Sequence, residues 1–570
     1  MKHKKAAVGL LAVILIATIA MTLNKGDLST ISDTEVLGKK LGFISMIPTI
    51  LAVLMSFVTS NVLFALLVGF LSGVLILAIT ASNTFGTFLP AFLSQFWTDF
   101  SNVFFDLEKI KIAVLCLTVG GMVEVVRLSG GFEALALKLT KKIDTPRKCG
   151  LIGGLMGCII FFDDYANALI VGPVMRSIGD KIRVSREKIA YIVDSTAAPV
   201  TGIAIVSSWV AVEVGAINNG LEIVGSDIRG FALFLSSIPY TFYCLFCILI
   251  VFVNSMTQRD FGPMLKAERR ARRGSTVSDE AKKMGLEKTS IVTDKQNKRI
   301  FVGVGSILLL VILSITLFYL TGKTAAIADG ELAGNAPFSL NTVITAFGYA
   351  DTMLLVTIGA LAGTLFAIIF GCNYGLFTWK ESCTAFLKGA KDLLETVFLL
   401  FLAWCLADTI NYLGTTYYAV EIISASVSWK LVPLLIFLAC CVISFAAGSY
   451  GCFFVVMPLA IPLAFRMLEL GVGIDPSVFL SVCVGSVMGG SIFGDHCSPV
   501  TDCTILSSIG SGCTTMEHVF TQLPYAIITA IISAMAVTAT VFGMNLLLIF
   551  IAAIAIQIAV FMVLGKDAEK

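Results

Sequence analysis

The chain has 570 residues, of which 57% are hydrophobic and only 14% charged, with a mean hydropathy of +0.93. That balance excludes an ordinary soluble domain, and the repeated apolar runs of about 20 residues define an all-α polytopic membrane protein. A formal net charge of +2 gives no support for nucleic-acid binding.

The first element, MKHKKAAVGLLAVILIATIAMTL, has a basic start and an apolar centre. It fits a signal peptide or a first transmembrane helix; no A-x-A site follows, which favours the helix. Further apolar spans predict helices over 42–59, 62–82, 109–128, 189–212, 230–253, 300–320, 353–371, 394–412, 476–508, 520–542 and 545–564, twelve with 6–23. Each is long enough to cross a hydrocarbon core of about 30 Å. FWTDFSNVFF (96–105) reads instead as an interfacial helix. The fifteen cysteines lie mostly singly in apolar runs, with no CxxC, and read as small core residues.

Basic residues orient these spans. MKHKK, KLTKKIDTPRK (138–148), RSIGDKIRVSREK (176–188) and the polar stretch 254–299 all fall in the cytoplasm if twelve crossings start from an inside N-terminus. Both termini are then cytoplasmic. The expected division is N-terminal helices 1–59, a first repeat 60–253, a solvated basic linker 254–299, a connecting helix 300–337, a second repeat 338–542, and a C-terminal helix and tail 543–570.

Two stretches do not read as simple crossings. CGLIGGLMGCIIFFDDYANALIVGPVM (149–175) and LIFLACCVISFAAGSYGCFFVVMPLAIPLAF (435–465) have polar centres. Each predicts a re-entrant hairpin, whose irregular backbone survives at membrane depth only when protein or a wet cavity surrounds it.

The two halves also repeat. PVTGIAIVSS (199–208) returns as PVTDCTILSS (499–508), YANALIVGP (165–173) as YGCFFVVMP (450–458), and EVVRLSG (124–130) as DTINYLG (408–414). With the hairpins entering from opposite sides, this predicts two inverted-topology repeats around a midplane site. Pro199 and Pro499 would break their helices, and the freed carbonyls would face a cavity. Asp194, Ser195 and Thr196 precede one break; Asp495, His496 and Ser498 precede the other, with Thr501 and Asp502 after it. A charge at the bilayer centre costs at least about 2.5–3.5 kcal/mol, which points to a charged or polar passenger.

Each residue has a plainer reading beside the functional one. Asp163 and Asp164 could form a solvated turn, although a tip at membrane depth favours function. Asp194-Ser195-Thr196 could cap a half-helix as well as ligate. His496 reads equally as a proton-linked group or a neutral hydrogen-bonding strut. Asp502 stands where the first half has Gly202, an asymmetry expected of a specific ligand. Glu124 with Arg127, and Asp408 with Asn411, are expected to be structural pairs.

FFDDYANALIVGPVMRSIGDKIRVSREKIAYIVDSTAAPV (161–200) and FGDHCSPVTDCTILSS (493–508), with GSYG (448–451) as a weaker third block, resemble the NhaC-type sodium/proton antiporter family. The resemblance runs over about 60–565. It implies a scaffold domain, a transport domain moving like an elevator, a homodimer joined through the scaffold, and the inner membrane of a prokaryote. It also implies Asp163, Asp164, Asn167, Asp194, Asp495, His496, Ser498 and Asp502 as site residues, with Ser449 at the second hairpin tip. That tip departs from the family's T-S-W-G-T, reading Gly448-Ser449-Tyr450-Gly451-Cys452, which opens the choice of passenger.

The expected activity is sodium/proton exchange, with no resident cofactor. Carboxylates, hydroxyls and freed carbonyls suit Na+, and low dielectric makes a proton and a sodium ion compete for the same acids. Asp163, Asp164, Asp495 and Asp502 are the expected Na+ ligands. The alternative is a Na+- or H+-coupled carrier of an organic acid or amino acid. An enzyme or zinc protein built on His496, Cys497, Asp502 and Cys503 is disfavoured, since their spacing matches no zinc pattern.

Overall fold

The computed structural model describes residues 18, 19, 21, 22, 28, 33–59, 61–82, 85–140, 143–283, 296–499 and 501–569. The expected helix 6–23 lies largely outside them. Among the described residues, nine helices are long and apolar enough to cross a membrane, or up to eleven if each of two bent pairs counts as one span. The expectation of twelve includes the span 6–23, which falls largely outside that count.

The chain forms two compact units. The first comprises residues 1–113, 212–237 and 395–491; the second comprises 114–211, 238–394 and 492–570. Each therefore draws on both halves of the sequence.

In the first unit, helices Phe43–Thr59 and Val62–Ala81 are separate elements, the second started by Asn61, whose side chain accepts the Phe64 N–H at 2.8 Å. The aromatic segment at 96–105 belongs to a longer helix, Phe85–Phe104, with Phe96, Phe100 and Phe104 stacked at four-residue spacing. It carries a fully buried acid, Asp99, which accepts hydrogen bonds from Gln95 and Thr409. Between Val432 and Leu470 the helix is interrupted at Gly448, with φ 65° and ψ 175°. Only glycine adopts that conformation without strain, so the GSYG sequence places the break.

In the second unit, the 33-residue helix Gln296–Ala328 packs against Gly131–Thr140, Leu340–Tyr349 and Thr352–Asn373. Glu124 and Arg127 form the expected ion pair, at 2.5 Å, and Lys388 joins it at 2.7 Å.

The stretch 254–299 is not a solvated linker over its described first part. Arg259–Asp260 pairs as a short antiparallel strand with Lys566–Asp567, and Gly262–Arg272 is a helix with Met264, Ala267, Glu268 and Ala271 buried. Its charges are matched by residues distant in sequence. Lys188 meets Asp260 at 2.5 Å, and Arg270 meets Glu187 at 2.7 Å. Burial works to raise the Asp260 carboxyl, but the Lys188 ammonium, with Tyr525 and Asn254, holds it below the usual carboxylate range.

Candidate functional site

The expected crossings 189–212 and 476–508 are each broken. Helix Arg186–Asp194 ends in a turn at Ser195, and a four-residue helix, Ala198–Thr201, follows with Pro199 in its first turn. Helix Pro476–Cys497 ends before Ser498 and Pro499, and Asp502–Ser511 begins anew behind Thr501. The first polar stretch breaks in the same manner. Helix Pro146–Ile159 stops, and Asp164–Ile182 starts with Asp163 as its cap, one carboxylate oxygen accepting the Ala166 N–H at 2.7 Å.

Two of these new helix starts meet within the second unit. Helices Asp164–Ile182 and Asp502–Ser511 pack with Gly172 against Gly510. A Cβ on Gly172 would lie 2.8 Å from the Gly510 carbonyl carbon, and one on Gly510 would lie 2.5 Å from the Ala168 oxygen. Neither position has room for a side chain. This backbone contact lets the ends interlock: Tyr165 donates its hydroxyl to Asp502 at 2.9 Å, and the Cys503 thiol donates to Asp164 at 2.8 Å. The other Asp164 oxygen accepts the Trp209 indole N–H at 3.0 Å. Asp163 and Asp164 are buried, whereas Asp502 is exposed.

Asn167 ties the breaks together. Its amide donates to the Thr196 and Gly157 carbonyls at 2.8 Å each and to Ile160 at 3.3 Å, carbonyls freed where helices stop. Across the second break, the Asp495 carbonyl accepts from Thr501 at 2.9 Å and Thr504 at 2.7 Å, and the Ser498 carbonyl accepts from Thr501 at 3.1 Å.

Asp194 is the centre of a second cluster in the same unit. Its carboxylate is fully buried and accepts from Ser507 at 3.0 Å, Gln522 at 2.6 Å and His518 at 3.2 Å. His496 touches the Asp194 backbone carbonyl through Nε2 at 3.2 Å, and its Nδ1 lies 3.2 Å from the Tyr243 hydroxyl. A carbonyl only accepts, so Nε2 carries the proton, and Nδ1 can then accept from Tyr243 with the ring neutral. Gln522 also donates to the His496 carbonyl at 3.0 Å.

The structure thus gathers Asp163, Asp164, Asn167, Thr196, Thr501 and Asp502 around the meeting helix starts, and Asp194 with His496 beside His518 and Gln522. Ser449 belongs to the first unit, its hydroxyl donating to the Ser491 carbonyl at 3.3 Å. Sequence reasoning weighed Cys503 only as a metal ligand and passed over Trp209, Ser507, His518 and Gln522. The last two carried a signal: polar residues at i and i+4 on one face of an otherwise apolar helix. Among the described residues no three acidic, cysteine or histidine side chains gather closely enough to hold a metal ion. A cation here would need hydroxyls, carbonyls or water beside one or two carboxylates.

This architecture is that of a membrane transporter. The fold matches the Alcanivorax borkumensis YdaH transporter with a TM-score of 0.58 at 13% identity, over 88% of this chain and 99% of that one. The chain belongs to the Na+/H+ antiporter family, whose sequence profile matches residues 200–544, and is a multi-pass secondary transporter. It is similar to an uncharacterised protein of Haemophilus influenzae, 28% identical over 85% of this chain and 88% of that protein. Shorter matches join it to the Na(+)/H(+) antiporter NhaC of Alkalihalophilus pseudofirmus, 29% identical over 30% of this chain and 36% of that one. A similar match joins it to the Malate-2H(+)/Na(+)-lactate antiporter of Bacillus subtilis, 29% identical over 29% and 34%.

Proposed function

We propose that this protein exchanges Na+ for H+, with the carboxylates of Asp502 and of Asp163 or Asp164 as the shared carriers and Asp495 beside them. The observation that carries the reading is the meeting of two helix starts, Asp163–Tyr165 and Thr501–Cys503, one from each half of the sequence. Helix starts present unsatisfied N–H groups and a partial positive charge, which stabilise the acids when no cation is bound. A hard monovalent cation takes oxygen ligands, and a proton binds the same oxygens. Each therefore displaces the other, and exchange follows if loaded carriers cross the membrane and the empty charged site does not.

The repeats, over 60–253 and 338–542, are inverted in this reading, with twelve crossings and re-entrant hairpins at Asp163 and Gly448. A transport domain moves like an elevator against a scaffold that joins two copies. The protein sits in the inner membrane of a prokaryote with both termini in the cytoplasm. The test is proton movement driven by a sodium gradient in proteoliposomes. Wild-type protein acidifies or alkalises the lumen according to the direction of the gradient; no response in either direction contradicts the proposal.

A second reading, coupled transport of an organic acid or amino acid, is favoured by the altered tip Gly448–Cys452 and by the match to a relative named for malate and lactate. Uptake of a labelled solute panel with and without a sodium gradient separates the two.

A further inference from the structure

The first unit holds a cavity of its own, about 500 Å3 in volume. Three chain segments wall it: Asp106 and Lys109 at the start of helix Leu107–Ser129, Asn219 and Glu222 near the end of Val210–Ile223, and Asp408 and Asn411 in the last turns of Leu394–Tyr412. None of these residues belongs to the aspartate clusters of the second unit. The repeat explains why they are available. Glu124 has Arg127 one turn along its helix, but the corresponding partner of Asp408 is Asn411, so Asp408 has no cation on its own helix. The structural pair expected there does not form.

Two polar groups in this wall have hydrogen-bonding capacity to spare. The Lys109 residue is 8% exposed, and its ammonium stands 3.6 Å from Asp106 and 4.0 Å from Asp408. Both separations exceed the usual N–H···O range, and no described residue accepts a hydrogen bond from its three donors. Asn219 is 6% exposed, and its amide makes no hydrogen bond to a described residue. Both face the cavity, where their donors are available to a ligand.

We propose that this cavity binds a small zwitterionic solute bearing one carboxylate and one amino group. Its carboxylate accepts from Lys109 and Asn219; its ammonium group lies against Asp408 and Glu222. The charges favour this class over its halves. A simple anion would meet three surrounding acids, Asp106, Glu222 and Asp408, with a single lysine to offset them. A simple cation would be drawn to the acids but would leave the Lys109 and Asn219 donors unused. A zwitterion meets both the donors and the acids without changing the net charge of the cavity, and the volume is in the range of small-molecule sites. The inference stands apart from the Na+/H+ reading, because it uses none of those carboxylates.

The experiment is calorimetric titration of the purified full-length protein, at fixed sodium, with glycine, 4-aminobutyrate, acetate and methylammonium. At least one zwitterion is expected to bind tenfold or more tightly than either acetate or methylammonium, and to weaken at least tenfold in Lys109→Met and in Asn219→Ala. Asn219→Ala removes no hydrogen bond to a described residue, so it remains an informative variant if Lys109→Met fails to fold. Zwitterions that bind no better than the half-ligands overturn the proposal. So does zwitterion binding that persists in Asn219→Ala but disappears in Asp502→Asn, which would place the solute among the aspartates of the second unit.

Discussion

Asp194 and Asp502 lie in the same unit, each beside a helix break, yet their surroundings differ in kind. Asp194 is fully buried, and its two oxygens receive a hydroxyl, an amide and an imidazole. Asp502 is exposed, and among the described residues a single phenol donates to it. A carboxylate already supplied with donors must give one up before it can ligate an ion. One with an open oxygen can load directly from water. Acids on opposite sides of the two breaks are therefore suited to different work: in the proposed reading Asp194 holds the broken helices in register, and Asp502 carries the passenger.

The largest expected effect separates them by activity. Asp502→Asn should abolish sodium-driven proton movement while shifting stability by no more than about 0.5 kcal/mol, as for other exposed positions. Retained exchange in that variant removes Asp502 from the carriers. Next in size, Asp194→Ala strands Ser507, His518 and Gln522 as buried donors and should cost about 3 kcal/mol of stability, read as a fall in melting temperature. A variant that melts like wild type would show that Asp194 is not the structural member of the pair.

A third test uses the folded part of the linker. Because Lys188 and its neighbours hold the Asp260 carboxyl low, its contribution to stability is present above the ordinary carboxylate value of about 3.9. It is lost as pH falls through the lower folded value. Melting temperature against pH should show that acid limb in wild type and a shallower one in Asp260→Asn. The smallest effect concerns the Cys503 thiol on Asp164. Cys503→Ser retains a donor and should move the half-saturating sodium concentration by less than about threefold, whereas Cys503→Ala should move it by up to about tenfold. Equal effects from both would mean that the hydrogen bond does not matter to the carriers.

What the sequence revealed follows from range. Long apolar runs marked Val62–Ala81, Thr352–Asn373 and Leu546–Val563 because each is long and apolar enough to span a bilayer by itself. The shorter helices Gly131–Thr140, Leu340–Tyr349 and Thr415–Ser426 have no such run, being held by neighbours distant in the chain. The linker misled for a related reason: Arg270 and Lys188 look like solvated charges until Glu187 and Asp260 are brought beside them. At the site, the aspartates stood out against apolar surroundings and were named from sequence. Trp209 and Cys503 look like ordinary core residues there, and only the packing of Gly172 on Gly510 shows that Cys503 reaches Asp164.

Competition between sodium and protons for one set of carboxylates is tested most directly by binding of radiolabelled Na+ to purified protein across a pH series. One-for-one displacement predicts that affinity weakens with acidity, approaching about tenfold per pH unit once the carriers are protonated, and that Asp502→Asn loses both the binding and its pH dependence. Sodium affinity that stays constant from acid to alkaline pH would contradict it.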